Sequence, residues 1–401
     1  VGKILVPLVV ETTSLSNGSP KKQGTDRQKQ ENLRKENAQM RIAATVMFAI
    51  LIALSSVQAA EKGPLTLHPK VSVLPTDVMG PFVRLKDNRI LAVEDKLVRA
   101  SSDEGATWET WPLELGMDFE VSKERALLLT REGTLILACM NMAEKDWRWN
   151  KEIHDADPGT KLPTYAMRSL DNGKTWEKPQ KLHDEWSGAV RNMIQAKDGK
   201  VVFTAMRLLS KPGRHSVLTY ASTDQGASWK PSNVIDLGGN GHHDGATEAT
   251  VIELNDGRLW KLIRTNFGKF WEAHSEDGFY WKSMGPTTIP ASSAPGQLFR
   301  LQSGRMLLVW NRPFPDGETT FPLSGGDNEW SEVPVSNHRW ELSAALSDDD
   351  GKTWSTPIVL AHQEGASLAY PYLFEQAPGK LWLTTMQGGI RIALNEADLL
   401  Q

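Results

Sequence analysis

The sequence predicts an all-β fold, a six-bladed β-propeller built from four-stranded antiparallel blades. Three observations predict it: a Ser-x-Asp-x-Gly-x-x-Trp turn that returns five times, six hairpin tips interleaved with those turns, and apolar strand-length runs flanking each tip.

The turns occupy residues 101–108, 169–176, 222–229, 275–281 (shortened by one residue) and 347–354, and their serines stand 68, 53, 53 and 72 residues apart. In each, the aspartate can accept N–H bonds within its own turn, the glycine takes a left-handed dihedral, and the tryptophan folds back over the sheet edge. The hairpin tips centre on Asn88, Gly133, Gly199, Gly257, Gly304 and Gly379. Spread over residues 61–401, they leave about 57 residues each, enough for a four-stranded blade and its loops. Blades that bury one small face each are stable only when stacked in a closed ring, so residues 60–401 read as a single domain. Two longer inserts, 141–163 and 312–338, read as rim loops that could shape a site.

Lys and Arg total 45 against 49 Asp and Glu, a formal charge of -4 that argues against nucleic acid as a partner. The single cysteine, Cys139, lies in an apolar run and excludes an intrachain disulfide. Residues 1–39 are a polar extension without apolar periodicity, expected to be disordered. Residues 40–59 read as a signal peptide: Met40-Arg41, an apolar stretch from Ile42 to Leu54, then small residues up to Ala59. The expected product is secreted or periplasmic, with no stable membrane span after processing.

Inner-strand ends of a propeller converge on its axis, so charged residues there are candidates for a site. Glu248 and Arg264 flank Asp256 at eight residues on either side, which makes them expected cross-strand neighbours; Arg191 and Arg207 flank Gly199 in the same way. Tyr370 precedes Gly379 by nine residues, as Glu248 precedes Gly257. Converging arginines suit a carboxylate, because the planar guanidinium donates paired hydrogen bonds; an internal ion pair between Arg264 and Glu248 is the other reading. Glycines flank His242, His243 and Asp244 in a tight loop before Glu248, and these three are expected to line the site. A metal site there is disfavoured, since adjacent side chains cannot all turn inward. Trp147 and Trp149, in the first insert, are candidate platforms for sugar rings.

These motifs resemble the sialidase (neuraminidase) superfamily, whose six-bladed propellers carry Asp-box turns of this kind, and the resemblance spans roughly residues 78–391. It implies a carboxylate-binding arginine triad of Arg84 (in Phe82-Val83-Arg84-Leu85), Arg264 and Arg339, with Arg312 in reserve. It implies Tyr370 as nucleophile and Glu248 as its base, with no metal and no cofactor. The acid/base position falls first to Asp95, with Asp118, Asp155 and Asp157 able to reach in from neighbouring loops and His243 or His242 as replacements. The activity implied is hydrolysis of a terminal carboxylate-bearing sugar, and the partner an acidic glycan or glycoconjugate. A polysaccharide lyase or a hydrolase of a different acidic sugar is the alternative among enzymes; a non-catalytic glycan-binding propeller is the alternative outside them.

Overall fold

The computed structural model describes residues 62–400, so the expected extension and signal peptide lie outside the described residues. Six antiparallel sheets follow one another along the chain. Blade I comprises Val83–Arg84, Ile90–Glu94, Leu97–Ser101 and Glu109–Pro112; blade II, Val121–Leu129, Leu135–Asn141, Thr164–Ser169 and Gln180–His183. Blade III comprises Val190–Gln195, Val201–Leu209, Arg214–Ser222 and Lys230–Pro231; blade IV, Thr247–Glu253, Leu259–Arg264, Lys269–Ser275 and Lys282–Pro290. Blade V holds Gln297–Arg300, Met306–Trp310, Glu341–Ser347 and Ile358–His362, extended by Thr66–Leu67 as a fifth strand. Blade VI takes Pro371–Ala377, Lys380–Thr385 and Arg391–Asn395 from the end of the chain, and Ser72–Val73 completes it from the start.

Each blade–blade interface holds its own apolar cluster: I with II around Leu91 and Leu137, II with III around Ile136 and Phe203, and III with IV around Val202 and Val251. Leu262 and Leu308 join IV to V, Leu342 and Leu383 join V to VI, and Phe82 and Trp382 join VI to I. This ring of cores explains why strands such as Leu135–Asn141 are buried on both faces, Cys139 included.

The repeated turn has the bonding its residues dictate. Ser101 Oγ donates to Asp103 (2.8 Å) and accepts from Gly105 N (2.8 Å), while Asp103 accepts from Thr107 N (2.8 Å) and Thr107 Oγ1 (2.6 Å). The same bonds recur at Ser169, Ser222 and Ser347. The turns also bind blades together. A β-carbon on Gly351 would meet the Trp260 ring of the preceding blade at 2.7 Å, and one on Gly105 would meet Trp382 at 2.7 Å.

First and second strands meet at the hairpin tips, so the opposite end of every blade gathers the starts of the first strands, the ends of the second strands and both long inserts. That end carries the candidate site.

Candidate active site

Three first strands are irregular at this end. Pairing slips between Val121 and Arg125 in blade II, between Val190 and Met193 in blade III, and between Thr247 and Ala249 in blade IV. Glu124, Arg191 and Glu248 lie within these irregular stretches. A bulge bends its strand and re-aims a side chain that the regular alternation would send between blades. Tyr370 arrives differently: it precedes the first strand of blade VI with φ of 64°, a left-handed backbone that is unfavourable outside glycine and concentrates at functional sites.

These residues meet around the axis. Tyr370 Oη donates to Glu248 Oε1 at 3.1 Å, and Arg264 Nη1 donates to Glu248 Oε2 at 2.6 Å and to Tyr370 Oη at 3.3 Å. Arg264 also donates to Ser293 Oγ through Nε (3.2 Å) and Nη2 (2.9 Å), and Ser293 in turn donates to Asn266 Oδ1 (2.7 Å). The guanidinium carbons of Arg191 and Arg339 lie 5.3 and 5.5 Å from the Tyr370 ring centroid. Among the described residues, Arg191 makes one bond, from Nη2 to Pro371 O at 3.0 Å, and leaves Nε and Nη1 buried without a partner; Nε of Arg339 is likewise unpartnered. Buried unpaired donors on cations are costly unless a ligand satisfies them.

The charges divide the two carboxyls into different states. Burial pushes Glu124 up first, the neighbouring Glu248 charge adds to it, and Arg191, Arg264 and Arg339 only partly offset both. Burial would also raise Glu248, but Arg264, Arg191, His243 and Arg339 outweigh it and hold that carboxylate ionised. The pair therefore shares one proton, carried by Glu124. Burial, then the Glu248 charge, raises the Tyr370 phenol to about 12, so it stays neutral until a base takes its proton.

With this geometry in view, residues 126–383 match the BNR repeat-like domain family. The chain belongs to that family. No curated protein matches its sequence. Solved structures similar to this BNR repeat-like protein include a protein of unknown function from Dyadobacter fermentans: 17% identity, TM-score 0.54, covering 83% of this chain and 96% of that one. A Hadza microbial sialidase is 17% identical with a TM-score of 0.55, covering 80% of this chain and 65% of its own. The NanB sialidase of Streptococcus pneumoniae is 13% identical with a TM-score of 0.53, covering 83% and 70%. At these identities the likeness is one of fold.

In this BNR repeat-like propeller, the expected residues Glu248, Arg264, Tyr370, Arg339 and Arg191 come together, and others do not. Arg84 sits at the hairpin-tip end of blade I, bound to Glu104 (2.8 Å) and to the carbonyls of Asn88 and Gln376; it is not in the cluster. Arg207 is turned outward to Glu185 at 2.8 Å, because Val190 already pairs with Ala205 and the first strand ends before reaching it. Arg312 pairs with Asp316 at 2.9 Å and bonds Ser343 Oγ at 3.0 Å. Asp95 is exposed in a left-handed turn (φ 52°) whose carbonyl accepts from Val121 N. Asp118 binds Lys96 at 3.0 Å on the surface. Asp155 accepts from Lys211 N (3.0 Å), holding loop backbone, and Asp157 accepts from the Asn150 side-chain amide Nδ2 (3.3 Å) within its own insert.

His243 does lie beside the cluster, but burial, then Arg264, pushes its imidazole down to about 3, which removes it as a proton donor near neutral pH. Asp244 is a brace: it accepts from Asn240 N (3.0 Å) and Glu332 N (2.8 Å), tying the loop to the second insert. Among the described residues no His, Cys, Asp or Glu cluster is arranged to hold a metal. His242 faces Trp149, with ring centroids 5.3 Å apart, and Trp147 stacks on Trp149 at 6.0 Å and 12°. Glu124 was missing from the sequence-based candidates.

Proposed function

We propose that this protein is a glycoside hydrolase that releases a terminal carboxylate-bearing sugar, in the manner of a sialidase. The observation that carries the reading is the Tyr370–Glu248–Arg264 triangle, with Arg191 and Arg339 holding unpaired donors beside it. The sugar carboxylate is received by Arg191, Arg264 and Arg339, a triad in which Arg191 takes the place first given to Arg84.

A second anion attacking such a substrate would be repelled, whereas a neutral phenol is not. Tyr370 Oη attacks the anomeric carbon as its proton passes to Glu248, and Arg264 stabilises the phenolate character that develops. The glycosidic C–O bond breaks as the departing oxygen takes the proton of Glu124. Water then attacks the tyrosyl glycoside, giving its proton to the Glu124 carboxylate, while the phenol recovers its own from Glu248. Such a substrate belongs outside the cytoplasm, in keeping with the expected signal peptide.

Turnover of an aryl sialoside by the purified protein tests this. Tyr370→Phe and Glu248→Gln should each lower kcat by about 10²–10⁴-fold, and Arg191→Met should raise KM. Arg84→Ala should change neither parameter. Wild-type inactivity on acidic aryl glycosides, or full activity in Tyr370→Phe, would overturn the mechanism.

A further inference from the structure

Beside the charged cluster stands a continuous aromatic wall that the mechanism does not use. Trp186 lies 4.4 Å from Trp147, which stacks on Trp149; Trp149 meets His242 at 5.3 Å, His242 meets His243 at 4.6 Å, and His243 meets Trp330 at 5.3 Å. The rings come from four separate segments, all on the face that carries the cluster: the two inserts, the loop before blade III and the loop before blade IV.

The wall is built and held. His242 N and His243 N donate to the carbonyls of Glu329 and Trp330, the two inserts meet through His154 and Asn328 O (2.6 Å), and Lys151 pairs with Glu329 (2.7 Å). It also abuts the cluster. Asn266, which accepts the Ser293 hydroxyl bonded to Arg264, donates to His243 O at 3.3 Å.

Its outer ring, Trp147, is 36% exposed, and Trp149, Trp186 and Trp330 are half-buried, so their positions are set before any ligand arrives. Preset aromatic surface loses little conformational freedom on binding. One face of a pyranose ring is mainly C–H, with hydroxyls around the rim, so it can cover an aromatic plane while its polar groups stay in water. Arg148 pairs with Asp146 and Lys151 with Glu329, while Lys145 lies over the Trp186 ring with Nζ 5.9 Å from its centroid, so among the described residues of the wall no guanidinium is left free for a second carboxylate.

We infer that this wall is a stacking subsite for neutral pyranose rings on the leaving-group side of the cleaved bond, making the substrate the acidic end of an oligosaccharide. The inference rests on the hydrolase reading of the neighbouring cluster. In the wild type, kcat/KM should be higher for a sialylated N-acetyllactosamine oligosaccharide than for a methyl sialoside, whose leaving group is also an alcohol. Trp147→Ala should lower kcat/KM on the oligosaccharide about tenfold through KM, leave the aryl sialoside within about twofold, and be matched by partial recovery in Trp147→Phe. Equal loss on both substrates, or none on the oligosaccharide, would overturn the subsite and leave the hydrolase reading standing. If neither substrate turns over, saturation-transfer NMR with neutral N-acetyllactosamine decides the subsite alone: a signal lost in Trp147→Ala supports it, and no wild-type signal refutes it.

Discussion

Glu124 and Glu248 face the same three arginines yet hold different protonation states, because burial and mutual repulsion leave room for only one charge. On the acid side, activity should fall as Glu248 takes a proton; on the alkaline side, as Glu124 loses its own. Glu124→Gln should lower kcat about 10²–10³-fold on glycosides with poor leaving groups. On an activated aryl glycoside it should largely retain kcat/KM while kcat still falls, because the water step loses its base, and the alkaline limb of the kcat/KM–pH profile should be lost, which a pH–rate series would read directly; an unchanged limb would remove Glu124 from the role. This residue was legible in principle: Glu124 precedes Gly133 by nine residues, as Glu248 precedes Gly257 and Tyr370 precedes Gly379. Arg84 misled for the converse reason. Its flanking residues resemble the family's motif, but it pairs with Ile90 beside the Asn88 tip, at the end of its blade opposite the cluster.

Among elements, the bulged first strands and the repeated turns divide the labour between them. Bulges break the period of two and turn Glu124, Arg191 and Glu248 to the axis, whereas turn glycines pack against the second strand of the preceding blade, Gly173 on Leu91 and Gly278 on Val202. The second strand of blade IV carries a further anomaly. Lys261 is fully buried with Nζ 4.0 Å from the Trp281 ring centroid and no hydrogen-bond partner among the described residues. Burial holds its amine well below the ordinary value near 10.5, so between the folded and unfolded values the unfolded chain binds more protons. Stability should therefore rise with pH through that window, and the cost of neutralising or burying the amine is fully present below it. Lys261→Met should raise Tm at neutral pH by a few degrees and flatten the alkaline rise; calorimetry at several pH values measures both.

At the scale of the whole molecule, closure joins the two ends of the described chain. Ser72–Val73 supplies the outer strand of blade VI, Thr66–Leu67 extends blade V, and no repeated turn marks the last interface. There the short 3₁₀ helix Glu396–Leu399 takes over, with Leu399 in the core shared by blades V and VI and Glu396 accepting from Ser303 Oγ (2.5 Å) and Arg305 (3.2 Å). Deleting the segment up to Leu74 should lower Tm by several degrees, because it exposes an edge of the ring and removes a member of the VI–I core. Retention of the parent Tm would show that the ring closes without it. The amino-acid sequence by itself determined the blade number, the turn chemistry and the Glu248–Arg264 pairing, since each depends on residues close in the chain or on a repeat read in register. Tertiary structure decided which arginines surround Tyr370, which carboxyl keeps the proton and which aromatics form a wall. Those depend on bulges, on burial and on loops from different blades meeting, and none of these quantities is local to a stretch of sequence.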